Sequence, residues 1–492
     1  MRLNLRSLAS PALLAVTGAL TVLSFAPVYA FPLMWVALAA LLIAVGRAES
    51  PRRALALGYA WGLGYFCANI YWIYISLHTF GGMPALMAGG CVFLLSMYMA
   101  VFPAAATWLS HKLARTRVMR LTLALPAAFT LTEWLRGWLF TGFPWADVGN
   151  SQVPMTPLAG YAPIAGVHGV GLLMMISLGL LLGLRSRWKT ATVLGIWGVG
   201  LALLTWVPWT RPVGAPVSVS LAQGNIPQDE KWAEAHYLDN LRIYLNLTAQ
   251  AKGDLVILPE TAIPSFLNDT PPWYLDRLQK VVKPRSLVTG VPLTGRHAEE
   301  YYNSVMVLTD PRWPVYSKRH LVPFGEFVPV PWLFGWMYHY LNMPLSGFTS
   351  GAPVQAPFAI GASTRLAPNV CYEDAFGREI IKALPSATLL VNVSNLAWFD
   401  GSWAAWQQTQ MSQARALETG RYMLRATNTG VTAIINEKGK LLSALPQNSR
   451  GVLEGTAQNF EGTTPYVLWG DWLALGLSGL LLLGSRLFGR KQ

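Results

Sequence analysis

The chain has 492 residues, of which 53% are hydrophobic and only 12% charged, with 21 tryptophans and a net charge of +13. Soluble domains carry about 25% charged residues, so half that value excludes an ordinary soluble protein and points to a membrane protein. The positive balance does not imply a nucleic-acid surface. The basic residues lie in short loops between apolar runs, as the positive-inside rule requires, and not on one face of a soluble module.

Apolar runs occur at 9–30, 31–46, 54–76, 84–109, 121–140, 161–184, 190–208 and 466–485. Most approach the ~20 residues that cross a bilayer. Eight spans are expected, with seven as the alternative because Pro27 and Pro32 break the first pair. A signal peptide led by Arg2 and Arg6 is disfavoured, because further spans follow directly. Basic residues recur on alternate sides: Arg47, Arg52 and Arg53, then Lys112, Arg115, Arg117 and Arg120, then Arg185, Arg187 and Lys189, then Arg486, Arg490 and Lys491. The intervening loops around 28–29, 78–84 and 142–156 contain no Lys or Arg. This bias predicts cytoplasmic termini and puts 210–465 on the opposite side, which in a bacterium is the periplasm. The expected domains are a transmembrane helical bundle over 1–209, an extracytoplasmic α/β domain over 210–465, and a last helix with its tail over 466–492.

Segment 210–465 changes texture. Short β-rich runs at 217–221, 255–258, 287–288, 304–308, 389–391 and 431–435 alternate with helical stretches such as 233–251 and 404–420. Three polar clusters follow or flank these strands, where loops carry functional groups. The run Leu255–Leu258 delivers Glu260 behind Pro259. It reads either as a solvated turn carboxylate or as a general base on a rigid element. The second cluster holds Lys318, Arg319, His320 and Glu326, with Pro323, Gly325 and Pro329 shaping the loop. It reads either as an exposed basic patch or as a tightly folded site loop. The third holds Cys371, Tyr372, Glu373 and Asp374. Cys67 and Cys91 lie in apolar runs and read as packing residues. Cys371 stands alone in the polar half, with no disulfide partner there, and an idle thiol in an oxidising compartment is a liability. No Cys or His spacing predicts a metal site. A Cys, a Glu and a Lys supply the parts of acyl transfer: a nucleophile, a proton acceptor and an oxyanion partner. Spacing along the chain does not show that they meet.

The same clusters resemble the Glu-Lys-Cys set of the nitrilase superfamily. The whole chain resembles one branch of it, the bacterial apolipoprotein N-acyltransferase family. The matching stretches are Gly224–Gln228 with Lys231 and Trp232, Pro259–Pro264, Tyr302–Ser304, Lys318–Glu326 and Cys371–Glu373. In the apolar half, Glu133–Gly137 and Gly142–Trp145 match as well. The resemblance implies a polytopic helical membrane domain joined to an αββα nitrilase-like domain. It implies Glu260, Lys318 and Cys371 as the catalytic set, supported by Glu326, Tyr372 and Glu373, with Trp232, Trp398 and Phe399 contacting substrate. It also implies a phospholipid acyl donor such as phosphatidylethanolamine, a diacylglyceryl apolipoprotein acceptor, a Cys371 thioester and no cofactor. A membrane-anchored amidase or hydrolase is the alternative. One stretch departs from the family pattern: Ser394 and Asn395 are followed by Leu396, Phe399 by Asp400, and no histidine follows in Trp403–Gln407. That loop is expected to shape substrate entry and not to supply chemistry. The aromatic stretch Val328–Tyr338 is too interrupted to span a bilayer and is expected to dip into the interface. Glu133 and Arg136, three apart on one helical face, are expected either to pair or to hold lipid headgroups.

Overall fold

The computed structural model describes residues 10–183, 188–297, 299–330, 332 and 347–487. Two compact units emerge. The first comprises residues 1–74, 85–208 and 468–492, and the second 75–84 and 209–467.

The first unit is helical, with segments Pro11–Ser24, Pro32–Gly46, Pro51–Asn69, Ala85–Leu113, 117–136, Ala162–Gly183, Trp188–Trp206 and Trp472–Leu487. Among the described residues, three stretches, Ala85–Leu113, Pro157–Gly183 and Trp188–Trp206, are long and apolar enough to cross a membrane by themselves. Pro11–Ser24, Pro32–Gly46 and Trp472–Leu487 are shorter apolar helices. Small residues let the helices touch. A Cβ on Gly64 would strike the Ala15 carbonyl, and one on Gly18 the Trp61 carbonyl. In lipid, where no hydrophobic force drives helices together, such close backbone approach supplies the packing energy. Cys67 and Cys91 sit half-buried in these helices and form no disulfide with one another.

A buried charge cluster ties this unit's loops to its helices. Arg136 is 2% exposed and donates to the carbonyls of Phe143 (2.7 Å) and Trp145 (2.8 Å) and to the Asp147 carboxylate. Glu133 stands 3.9 Å from Arg136 and accepts the Val148 N–H at 2.9 Å. His168 Nδ1 meets Asp471 at 3.1 Å. Of the two expectations for Glu133 and Arg136, pairing is the one realised, since the two stand 3.9 Å apart and both are buried among protein groups.

Among the described residues the second unit contains fourteen strands: β1 (Thr210–Pro212), β2 (Val217–Gln223), β3 (Leu255–Ile257), β4 (Ser286–Thr294), β5 (Tyr301–Val307), β6 (Val315–Ser317), β7 (Phe358–Ile360), β8 (Thr364–Val370), β9 (Leu389–Ser394), β10 (Met423–Thr427), β11 (Ala433–Ile435), β12 (Leu441–Ala444), β13 (Gly451–Ala457) and β14 (Phe460–Gly462). They form two six-stranded sheets, ordered β13-β2-β3-β4-β5-β6 and β12-β11-β10-β9-β8-β7, plus the pair β1-β14. The central strands β2, β3 and β4 run parallel, as do β8, β9 and β10. Strands buried on both faces read as continuous apolar runs, which is why 255–258 and 389–391 stand out in the sequence. One core lies between the sheets, joining Leu221, Ile257 and Val288 to Val370, Val391 and Leu424. A second packs the outer face of the first sheet on helices Tyr237–Gln250 and Pro272–Val282. A third covers the other sheet, with Ile380 and Ala416. The layers are therefore helix, sheet, sheet, helix. The helix expected over 233–251 begins at Tyr237, because Glu234–His236 form a tighter 3₁₀ turn first. The loop expected over 78–84, with the end of the apolar run 54–76, falls in segment 75–84, which clusters with the α/β unit, where Phe80 packs edge-on against Trp398 at 6.2 Å.

Within Val328–Tyr338, Val330 and Trp332 are exposed, and Pro331 and residues 333–338 lie outside the described residues. Arg2, Arg6, Arg185, Arg187, Arg490 and Lys491 also lie outside them.

Replacing Arg136 by Met takes the guanidinium away from the buried Asp147 carboxylate and leaves it His168 Nε2, 3.8 Å away. Removing one partner of a buried pair costs about 3–5 kcal/mol. The thermal unfolding midpoint of the detergent-solubilised protein should fall by several degrees in Arg136→Met and recover in part when Asp147→Leu is added. An unchanged midpoint in the single variant would show that the pair stabilises nothing.

Candidate active site

The site is assembled at the carboxyl ends of strands, where parallel α/β sheets expose their loops. Glu260 follows β3, Lys318 follows β6 and Cys371 follows β8. The chain turns sharply at two of these points, with φ +46° at Thr261 and +53° at Cys371. A left-handed backbone at a non-glycine residue is strained, and such strain collects at functional sites.

Lys318 is 1% exposed. Its Nζ lies 2.9 Å from the Glu326 carboxylate and 3.9 Å from Glu260 Oε1. Burial alone would pull this ammonium down, but the Glu326 and Glu260 carboxylates outweigh it and hold it above its ordinary value. Asn303 Nδ2 donates to both acids, 2.7 Å to Glu260 and 3.0 Å to Glu326. The second Glu260 oxygen accepts the Asn395 N–H at 2.6 Å. Both oxygens of Glu260 are thus oriented by donors from different strands. The loop around Glu326 is as tight as its prolines and glycine predict. The Glu326 N–H bonds the Val322 carbonyl at 2.9 Å, and its carboxylate accepts the Val322 N–H at 2.8 Å.

The half-buried Cys371 feels the same charges. Desolvation and then the Glu260 carboxylate push its thiol up to about 12, against the pull of Lys318. At neutral pH the resting thiol is protonated. Glu373 straps the Cys371 and Lys318 segments together. It accepts the N–H groups of Val370 (2.7 Å), Arg319 (2.8 Å) and His320 (3.1 Å) and the Tyr316 hydroxyl (3.0 Å). Burial pushes its carboxyl up to about 7 in spite of those donors. Tyr372 is buried edge-on against Phe376, ring centroids 5.0 Å apart. His320 stacks on Phe376 at 3.6 Å and bonds Glu379 through Nδ1 at 3.1 Å, while its buried Nε2 finds no hydrogen-bond partner among the described residues.

Of the three aromatics expected to contact substrate, Phe399 packs on the same small cluster as Cys371, formed by Leu396, Ala405, Val431 and Ala433. Trp398 is half-buried against Phe80. Trp232 is half-buried and directly follows Lys231. Lys231 is 2% exposed and donates to the Glu260 carbonyl at 3.1 Å. Burial pulls its ammonium down to about 7. Leu396, where the chain departs from the family pattern, serves as an apolar wall beside Cys371. The loop it sits in was expected to stay outside the chemistry. Through the Asn395 N–H it grips Glu260 directly, so it takes part in positioning.

Sequence reasoning missed Asn392, Gln408 and Arg425, and quoted Asn303, Lys231 and Asn395 without a role for any of them. A signal existed. Asn is depleted in strands, yet Asn303 and Asn392 interrupt apolar strands. Among the described residues, Glu133, Asp147 and His168 have ligand atoms close enough together for a metal, within 4.8 Å. The Arg136 guanidinium already pairs with Asp147 there, so the charge a metal would supply is present as a side chain.

Two family models match the chain. The apolipoprotein N-acyltransferase N-terminal domain matches residues 17–180, and the carbon-nitrogen hydrolase domain matches 218–464. Among curated proteins, the apolipoprotein N-acyltransferase of Chromobacterium violaceum is 46% identical, covering 97% of this chain and 94% of that one. That of Nitrosomonas europaea is 44% identical over 96% and 95%. That of Neisseria meningitidis serogroup A is 38% identical over 98% and 96%.

Because the Cys371 thiol lies near 12, its thiolate fraction grows about tenfold per pH unit below that value. Alkylation of Cys371 by iodoacetamide, mapped by peptide mass in the absence of substrate, should climb from about pH 7 to about pH 10 without levelling. A plateau below about pH 8 would mean a preformed thiolate.

Proposed function

The chain belongs to the apolipoprotein N-acyltransferase family, and on that premise we propose that Glu260, Lys318 and Cys371 transfer an acyl chain from a phospholipid to an apolipoprotein. The acceptor is the N-terminal α-amine of its S-diacylglyceryl-cysteine, and the donor is the sn-1 ester of phosphatidylethanolamine. One observation carries the assignment of roles: a buried ammonium stands between two carboxylates, 2.9 and 3.9 Å away, in the electrostatic field of a thiol.

The chemistry follows from those charges. Cys371 is protonated at rest, so its attack requires a base, and Glu260 is held by two donors for that task. As the sulfur bonds the ester carbonyl, Glu260 takes the thiol proton. Lys318 and the Tyr372 N–H hold the oxyanion that forms. Lys318 keeps its proton throughout, since Glu326 and Glu260 hold it above its ordinary value. Collapse breaks the ester C–O bond, Glu260 returns the proton to the leaving lysophospholipid, and a thioester remains. The lipoprotein amine then attacks the thioester carbonyl and gives a proton to Glu260. The C–S bond breaks, Glu260 reprotonates the sulfur, and an amide is released. Glu326 fixes Lys318, and Glu373 holds the Lys318 and Cys371 segments in register. Trp232, Trp398 and Phe399 supply apolar and aromatic surface for the two lipids.

Both substrates are membrane lipids, which gives the helical unit a physical reason to accompany the hydrolase-like one. The protein is assigned to the bacterial inner membrane with its α/β unit facing the periplasm. That orientation is supported by Arg47, Arg52, Arg53, Lys112, Arg115, Arg117 and Arg120 in alternate loops and by the absence of Lys and Arg from 142–156.

Phospholipid alone should release about one lysophospholipid per enzyme and stop, as a two-step scheme requires. The protein should gain one acyl mass that hydroxylamine removes, and a diacylated lipopeptide should discharge it into amide. Cys371→Ala should show neither burst nor mass gain. Lys318→Arg should lose about a hundredfold in rate, because a planar guanidinium does not replace a compact ammonium at an oxyanion. Product formed only with both substrates present, with no acylated protein at any time, would remove Cys371 as acyl carrier.

A further inference from the structure

Behind Cys371 lies a buried polar network that the reaction scheme does not use. Arg425, Asn392 and Asn369 sit opposite one another on the neighbouring strands β10, β9 and β8, so their side chains share one face of the sheet. Arg425 and Asp374 are both 0% exposed and form an ion pair, with Ser412 bonded to each. Burying a charge pair this deeply gains little stability over apolar packing, which directs attention to what the pair holds.

The guanidinium also donates to two amide oxygens, Gln408 Oε1 at 3.3 Å and Asn392 Oδ1 at 3.2 Å. A guanidinium has donors and no acceptor. Each amide must therefore turn its oxygen toward Arg425 and its NH₂ away from it. Both NH₂ groups then converge on one atom, the Cys371 carbonyl oxygen. Gln408 Nε2 donates to it at 2.6 Å and Asn392 Nδ2 at 3.1 Å. Flipping either amide would set NH₂ against guanidinium and oxygen against oxygen, so Arg425 sets the Gln408 orientation and, with Asn369 Oδ1 and the Ser394 hydroxyl, that of Asn392. The peptide joining Cys371 to Tyr372 is planar and trans, so its C=O and N–H point in opposite directions. Pinning the carbonyl from behind fixes the direction of the Tyr372 N–H in front. It also holds Cys371 at φ +53°, a conformation unfavourable for a side chain bearing Cβ.

The geometry points to Arg425 as a positioning residue that, through Gln408 and Asn392, presets the Tyr372 N–H as an oxyanion donor. The inference deepens the proposed role of Cys371 and rests on it. Its scope is the carbonyl chemistry alone: a reaction at Cys371 that forms no oxyanion does not need the network.

The experiment compares two reactions of the same thiol in the full-length, detergent-solubilised protein. One is the acylation burst with phospholipid. The other is alkylation by iodoacetamide, a displacement at carbon that passes through no oxyanion. The variants are Arg425→Lys and, because Lys in that buried pair risks misfolding, the milder Gln408→Met, which removes one donor to the Cys371 carbonyl while keeping side-chain length. Thermal unfolding midpoints and burst amplitudes report the folded fraction. The expected result is an acylation rate lower by about 30-fold or more, approaching the hundredfold loss of an oxyanion donor, with alkylation within about threefold of the unsubstituted protein. Acylation within about threefold in Gln408→Met would overturn the inference. Acylation and alkylation falling in parallel would overturn it too, because the network would then be holding the fold and not the amide. A different failure belongs to the reading underneath: no burst and no acyl mass in the unsubstituted protein would remove Cys371 as carrier before any variant is considered.

Discussion

The ammonium of Lys318 is the charge on which the α/β unit depends. Removed from water, an unpaired ammonium costs several kcal/mol, so the fold must bring compensation to it. Glu326 at 2.9 Å supplies most of it and Glu260 the rest, and Asn303 bonds both acids so that neither turns away. These groups sit on different strands and loops, so none of the compensation exists until the sheet has formed around the apolar runs that build its core. Two carboxylates against one ammonium also leave an excess of negative field. That field, added to desolvation, keeps the Cys371 thiol protonated and makes an assisted proton transfer necessary.

Arg136 in the helical unit obeys the same electrostatics with a different outcome. An ionisable side chain among apolar helices is expensive unless paired. Here Asp147, Glu133 and two backbone carbonyls surround it, and the result is a loop fastened to a helix. In the Lys318 cluster, by contrast, a thiol sits within the field of the buried charges. That is the difference between a buried ion pair that builds a structure and one that can also drive a reaction.

A good part of this was legible in the sequence. Continuous apolar runs such as 255–258 and 389–391 read as doubly buried strands because the layered fold covers both their faces, and the helical runs of the first unit read from length and hydropathy alone. Glu260, Lys318 and Cys371 stood out as reactive groups following or flanking strand-like runs, and it was the resemblance of their motifs to the nitrilase superfamily that named them as a set. Their partners were harder to see. Asn395 acts through its backbone N–H, which every residue but proline possesses, so no residue type advertises it. Gln408 and Arg425 lie 37 and 54 positions beyond Cys371, and Gln408 reaches its carbonyl, with Arg425 bonded behind Gln408, only after helix Ala404–Thr419 and strand β10 pack there. The stretch 78–84 reads as a loop of the bundle, and only the folded structure groups it with the other unit, where Phe80 meets Trp398.

What the sequence determined by itself was the kind of molecule: apolar helices in the first 209 residues, an α/β layer sandwich after them, and one thiol, one carboxylate and one ammonium placed at strand ends. Composition and periodicity carry that information because burial is a local property of each run. What only the tertiary structure decided was the protonation and the aim of those groups. The charge on Lys318 depends on Glu326 and Glu260 together, and the thiol of Cys371 on a carboxylate 111 residues away in the chain. The direction of its peptide depends on two amides held by Arg425. Electrostatic and hydrogen-bond energies act over a few ångströms of space, and chain separation says nothing about that distance until the sheets have closed on one another.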